Sequence, residues 1–378
     1  MRKVYAYAFL TDFILLYPVY SLLFAETGLS AAQISTLFIL WSSVSFLLEI
    51  PSGLLADLFS RRRLLVLAPL VTGLGYGLWT FAPSYPAFAA GFVLWGAGGA
   101  LASGAQEALV YEELARLGAG GSYPRVFGRA RALGTTAAMV SSLVAVPVMA
   151  AGGFLALGIA SVVVPLFTAA VAWSLPEHRG EGGEDEDEDE EPGLRAVFRD
   201  GLAQVRAAPV VRRLLLGVVL MSGFSAMDEY LPLLAAEASG SALALVPLLV
   251  LLPSMGDAAG GWFAGRGGSR LSVALALAAL LLAAGAVVRH PLGFVPIGVA
   301  FGLAQWATVV TEARLQDRLS DRSRATVTSL SGFGMEVVAV MVFAAYGLGS
   351  LWSPSWLLFA LAALPQLLLA LALRGRRG

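Results

Sequence analysis

The chain has 378 residues, 58% of them hydrophobic and 13% charged, with a formal net charge of −1. Soluble domains carry about 25% charged residues, and here the apolar excess runs along the whole length, which excludes a soluble globule and points to a membrane protein. Cysteine is absent, so disulfides and thiolate metal sites are excluded; His178 and His290 are too far apart in sequence to suggest a ligand cluster, and neither metal, cofactor nor nucleic acid is expected.

A helix needs about 20 apolar residues to cross the hydrocarbon layer. In chain order, such runs fall at about 4–24, 34–56, 64–82, 86–110, 126–150, 154–175, 211–235, 243–264, 271–288, 291–311, 325–348 and 354–373, twelve in all. The breaks between them hold turn formers or charge, as in 26-ETGLS-30, 83-PSYP-86, 151-AGG-153, 239-SGS-241, 265-GRGGSR-270 and 352-WSPS-355. The first run follows Arg2 and Lys3 but is too long for a signal-peptide core, and 21-SLLFAETG-28 is a poor cleavage site, so it reads as a retained helix. With the amino terminus placed in the cytoplasm, 24 of the 25 basic residues fall in inside loops and only Arg289 falls outside. That bias fixes an orientation with both termini cytoplasmic, in an inner or plasma membrane, and supports the number twelve.

Between the sixth and seventh runs, 176-PEHRGEGGEDEDEDEEPG-193 has no apolar content and carries Glu181 and the unbroken acidic run Glu184–Glu191. Such a segment cannot pack and reads as a solvated tether. It divides the chain into a six-helix bundle over 1–175, an acidic cytoplasmic linker over 176–210 and a second six-helix bundle over 211–378.

The two halves echo each other. Glu49-x-x-x-Gly53-x-x-Ala56-Asp57 returns as Asp257-x-x-x-Gly261-x-x-Ala264-Gly265, Glu107-Ala108-x-x-x-Glu112-x-Leu114 as Glu312-Ala313-x-x-x-Asp317-x-Leu319, and Arg129-x-Arg131-Ala132 as Arg322-x-Arg324-Ala325. Each pair sits at an equivalent cytoplasmic helix end. Parallel six-helix repeats with the substrate held between them are a transporter architecture. The stretch Gly53-Leu54-Leu55-Ala56-Asp57-x-x-x-Arg61-Arg62 resembles the signature loop between the second and third helices of the major facilitator superfamily. Leu58 and Ser60 depart from that pattern, and the second copy has Gly265 in place of the acid. The resemblance implies an all-α membrane fold of twelve helices in two pseudo-twofold-related bundles, and alternating access as the mechanism.

It also implies roles. Gly53 lets a neighbouring helix come close, and Asp57 meets a helix amino terminus and nearby bases when the inside is shut, a contact worth about 0.3–1 kcal/mol or more if partly buried. Arg61 and Arg62 complete that latch and Arg63 anchors the topology, while Glu49 and Asp257 support it or serve the proton or substrate. By the pseudo-twofold, Glu107 or Glu112 is expected to face Arg324, and Glu312 or Asp317 to face Arg131, across the cytoplasmic mouth; solvated loop charges are the alternative.

Ionisable residues at bilayer depth cost at least about 2.5–3.5 kcal/mol and mark pathways. Asp12 in the first run, Asp228 with Glu229 in the seventh and Glu336 in the eleventh qualify, and no base lies at their depth. They are therefore protonated, hydrogen-bonded or paired with something arriving from water. Tyr17 follows Asp12, Tyr230 follows Asp228, and Gln305 and Trp306 lie mid-span in the tenth run. Acids beside aromatics favour a cationic or amphipathic substrate; packing and interfacial anchoring are the plainer use of the rings. The glycine pattern of drug–proton antiporters is incomplete in 143-LVAVPVMAAGG-153, and Trp95 stands near the place of their membrane arginine.

The resulting expectation is a monomeric secondary transporter, not an enzyme, moving small amphipathic or cationic molecules outward in exchange for protons. A proton-linked uptake symporter is the near rival. Remoter ones are a membrane-embedded lipid enzyme, for which no nucleophile elbow or phosphate loop is present, and a transporter-like sensor signalling through the acidic linker.

Overall fold

The computed structural model describes residues 1–176, 205, 208–264, 270–319 and 321–374, apart from the side chains of 49–58, 321–323 and 325. The acidic run 181–191, most of the linker and Gly265 with Arg266 lie outside the described residues. Among those described, every regular element is helical. A chain in hydrocarbon must satisfy its own N–H and C=O groups, and the helix does so within one segment.

The amino half forms α1 (Arg2–Asp12), α2 (Tyr20–Glu26), α3 (Ala31–Leu58), α4 (Arg61–Phe81), α5 (Tyr85–Arg116) and α6 (Tyr123–Trp173). The carboxyl half forms α7 (Pro209–Ser225), α8 (Leu231–Ser239), α9 (Val246–Phe263), α10 (Leu271–Val288), α11 (Phe294–Gln316), α12 (Asp321–Gly349) and α13 (Ser355–Arg374). Among the described residues ten helical stretches are long and apolar enough to cross a membrane. The longest, Gly120–Trp173, holds two of the expected spans, because Gly153 breaks α6 with φ 59° and ψ −156°, a conformation that a side chain disfavours. The expected first span is divided between α1 and α2. With these two adjustments the helices match the twelve runs.

Contacts divide the chain into two compact units. One takes Met1–Arg179 with Ala235–Leu251 and Tyr346–Leu351; the other takes Gly180–Leu234, Leu252–Ala345 and Trp352–Gly378. In the first, α4 packs on α5 and α6, α3 on α5, and α1 on α6. The α4–α5 crossing is close because Gly75 lies against Gly91, where a Cβ would come within 2.8 Å of the Gly91 carbonyl oxygen. Val4, Tyr7, Leu65, Leu109 and Val126 form a buried core there.

In the second unit, α10 packs on α11 and α13, and α7 packs on the same two helices. Gly256 and Gly260 of α9 press against Gly298 and Gly302 of α11, so that backbone meets backbone without intervening side chains. Arg289 ends α10 in the left-handed conformation at φ 52° and lays its guanidinium 5.5 Å from the ring centre of Trp356 at the start of α13.

Candidate functional site

The first span stops at the acid it was expected to carry. Asp12 is the last residue of α1, and regular helix resumes only at Tyr20. Pro18 is the local cause, since it offers no N–H to the Ile14 carbonyl four residues back. Tyr17 N–H takes that carbonyl instead at 3.2 Å, and Val19 N–H bonds Leu16 O at 2.9 Å. The orphaned Leu16 N–H donates to Ser161 Oγ of α6 at 3.0 Å, and that hydroxyl donates onward to Leu157 O at 2.8 Å. Ser161 is fully buried, so Ser161→Ala leaves an amide without a partner at membrane depth. A loss of about 1–3 kcal/mol is expected, measured as a lower unfolding temperature in detergent.

The break exposes a polar and aromatic group inside the first unit. Asp12 lies beside Gly134 of α6, where any Cβ would collide with its Oδ2, so the glycine makes room for the carboxylate. Five residues along the chain from Asp12, Tyr17 accepts at Oη from the Tyr76 hydroxyl at 3.2 Å. Tyr17 stacks on Trp95 at 5.2 Å between ring centres, and Trp95 stacks on Trp41 at 4.9 Å. All three rings are half-buried. Behind them Tyr20, Phe24, Trp79, Phe88 and Phe92 complete an aromatic cluster of edge-to-face and tilted contacts. A cavity of about 70 Å³, edged by Thr11, Tyr17, Thr72, Tyr76 and Thr168, adjoins the group and has the hydroxyls to hold water.

The second unit repeats the device. After α7 the chain tightens into a 3₁₀ turn over Ala226–Tyr230 before α8 begins. Pro232 denies the Asp228 carbonyl its usual α-helical partner, and Leu231 N–H takes it in the 3₁₀ pattern. The turn leaves Asp228 exposed and Glu229 half-buried, while Tyr230 is fully buried and meets the edge of Phe343 at 6.1 Å. Asp257, six residues before the end of α9, lies near enough to Asp228 for the two charges to interact. Glu336 is half-buried on α12. Its neighbours Gly334 and Val338 face Val219 and Gly223 of α7, so at about 100° per residue Glu336 points away from that contact. Gln305 and Trp306 are half-buried on α11, with Trp306 packed against the buried cluster of Met221, Leu271, Leu275, Ala307 and Ala370.

At the base-rich helix ends, Arg61 forms an ion pair with Glu112 inside the first unit, and Ser60 Oγ caps α4 by accepting from Arg63 N–H at 3.2 Å. Arg62 sits over the Trp173 ring at 5.6 Å. Gly53 and Asp57 belong to the last turns of α3, but their side chains fall outside the described residues. Glu107, Arg131, Asp317 and Arg324 are exposed and Glu312 is half-buried.

Several residues of this site escape a reading of the sequence. Pro18 and Pro232 are visible as prolines inside the first and seventh runs, each within six residues of an acid. Trp41, Tyr76 and Trp95 give no local signal of a shared site, because they come from three different helices and meet only through packing.

The sequence profile described as the Major Facilitator Superfamily matches residues 4–341. No curated protein matches the sequence. Among solved structures, the fold is similar to the nucleoside transporter NupG, with a TM-score of 0.75 and 14% identity over 99% of this chain and 98% of that one. It is also similar to a bacterial homologue of the human lysosomal transporter Spinster in an inward-facing, unoccupied conformation, with a TM-score of 0.70 and 14% identity over 99% and 96% of the two chains. The POT family transporter PepTSo matches with a TM-score of 0.70 and 12% identity over 99% and 97%. At such low identity the structural likeness establishes the fold alone, and the profile establishes the lineage: the chain belongs to the Major Facilitator Superfamily and is a membrane-embedded transporter of small molecules, not an enzyme.

Proposed function

We propose that this transporter is proton-coupled, works by alternating access and exports small amphipathic or cationic molecules that carry a flat ring. One observation carries the reading: the first helix of each half is interrupted by a proline beside an acid, at Asp12 and at Asp228. Interrupted helices in corresponding positions of two repeats are where transporters of this architecture bind substrate and coupling ion. The half-buried stack of Tyr17, Trp95 and Trp41 supports a flat ligand, and nearby carboxylates support a positive one. Asp228, Glu229 and Asp257, ionisable residues in spans of the second unit, support proton exchange, since such groups at membrane depth mark pathways. The expected latch of Gly53, Asp57, Arg61 and Arg62, the gate charges, the cytoplasmic termini and the monomeric state belong to the same reading.

Uptake by symport is the second reading. It is favoured by the incomplete antiporter pattern in 143-LVAVPVMAAGG-153. Proteoliposomes with a pH gradient imposed in either sense, loaded with a flat fluorescent organic cation, separate the two. Dye moving against the proton flow supports export by exchange, dye moving with it supports symport, and indifference to the gradient removes proton coupling. In the same assay Trp95→Leu is expected to raise the half-saturation concentration about three- to tenfold, since an aromatic pair contributes about 0.5–1.5 kcal/mol beyond burial.

A further inference from the structure

The base-rich end of the first unit contains a cavity of about 710 Å³ that shares no lining residue with the cavity beside Tyr17 and Tyr76. It lies where the beginnings of α1 and α4 meet the ends of α5 and α6. Its lining includes Arg2, Lys3, Arg62 and Arg116, and the acid among them is the buried Glu113, paired with Arg116 at 3.3 Å. Four bases against one acid leave the cavity strongly positive. Lys3 Nζ donates to the Ser174 carbonyl at 2.5 Å at the end of α6, which holds one of the three ammonium donors and fixes the head at the cavity rim. Arg62 lies over the ring of Trp173, which also lines the cavity.

Apolar side chains share this lining: Leu109, Val110 and Leu175, with Leu117 and Trp173, which are 63% and 64% exposed. A tryptophan and a leucine exposed at the end of membrane-crossing helices sit at headgroup level, where indole and phospholipid meet. A free inorganic anion would need the bases but not this apolar flank. A cavity that joins clustered bases to an apolar exit fits a phosphodiester headgroup with its glycerol leading toward acyl chains.

We propose that this cavity is a binding site for an anionic phospholipid of the base-rich leaflet, with Arg2, Lys3 and Arg116 holding the phosphate and Trp173 and Leu117 flanking the glycerol. The bound lipid ties the start of α1 to the ends of α5 and α6. It also reaches Arg62, next to the Arg61–Glu112 ion pair, so lipid occupancy bears on the proposed latch.

The test uses the full-length purified transporter titrated with phosphatidylglycerol or phosphatidylcholine and read by native mass spectrometry of retained lipid. Wild type is expected to retain phosphatidylglycerol in preference. Arg2→Gln/Lys3→Gln is expected to weaken that binding about 30-fold, at roughly fivefold per base near a membrane surface. The charge-preserving Arg2→Lys/Lys3→Arg should restore it. Arg116→Gln, which leaves the amino terminus intact, gives an independent loss should the double variant insert poorly, and Arg289→Gln, in the second unit, should change nothing. Equal retention of the two lipids, or undiminished phosphatidylglycerol binding in both neutralised variants, overturns the proposal. Displacement of the lipid by millimolar inorganic phosphate makes this a free-anion site and also overturns it, as does lipid binding seen only after residues 181–191 are deleted, which would assign the cavity to the acidic run. Transport by Asp12 and Asp228 plays no part in these readouts, so this proposal stands or falls separately from the transport reading.

Discussion

Asp228→Asn in correctly inserted protein is expected to reduce transport driven by a pH gradient by about two orders of magnitude, while substrate exchange at equal pH persists. The magnitude follows from the environment. An ionisable group at bilayer depth costs about 2.5–3.5 kcal/mol, and a coupling cycle that depends on charging and discharging it loses a comparable amount when the charge is removed, a factor of about 100. Asparagine keeps the size and a hydrogen-bonding carbonyl oxygen but cannot release a proton. The 3₁₀ turn over Ala226–Tyr230 is set by Pro232 and the Leu231 N–H, not by the Asp228 side chain, so the substitution leaves the local backbone intact. Under the proposed alternating access, exchange needs the substrate site and a change of access but no net proton movement. Retained exchange with lost accumulation therefore identifies Asp228 as a coupling group. Loss of both would identify it as a substrate contact, and retention of both would remove it from the mechanism. Asp257→Asn provides the companion measurement, because the two acids feel each other's charge, and the pair should behave non-additively.

The second large effect is structural. Gly256→Val is expected to remove most of the folded protein, seen as loss of a monodisperse elution peak in detergent or a fall in unfolding temperature of many degrees. A Cβ at Gly256 collides with the carbonyl oxygen of Gly298, and the Gly298, Gly302 and Leu252 backbones crowd the same crossing. Overpacking that side chains can absorb costs about 1–3 kcal/mol. Here the obstacle is backbone, which no rotamer change relieves, so α9 and α11 must separate and lose the contact on which helix association in lipid depends. Gly261, five residues further along the same helix, has open space at its Cβ position, and Gly261→Ala should leave the unfolding temperature unchanged. Equal loss at both positions would point to helix propensity instead of the close crossing.

The helices were legible in the sequence because hydrocarbon imposes a length and a composition on anything that crosses it. The turn at 151-AGG-153 was legible for the same local reason, and it appears in the structure as the Gly153 break. The interruption of the first span was not foreseen, although Pro18 is in plain view, because a proline in a membrane helix kinks it or breaks it according to what receives the backbone groups, amides included, that a break leaves without helical partners. Here the receiver is Ser161, 145 positions away. Asp257 reads, with its repeat partner Glu49, as a latch support or as a proton or substrate group; that its charge acts on Asp228 is something the repeat does not indicate.

By itself the sequence determined membrane residence, the twelve crossings, the two-fold repeat and the superfamily, since each depends on composition or on short motifs within one segment. The tertiary structure decided which groups share a site: Asp12 with Gly134, Tyr17 with Trp95 and Trp41, and the bases of α1, α4 and α5 around one cavity. Those associations depend on how each helix is rotated and how closely glycines let it approach its neighbour, and rotation about a helix axis is set by packing against residues far away in the chain.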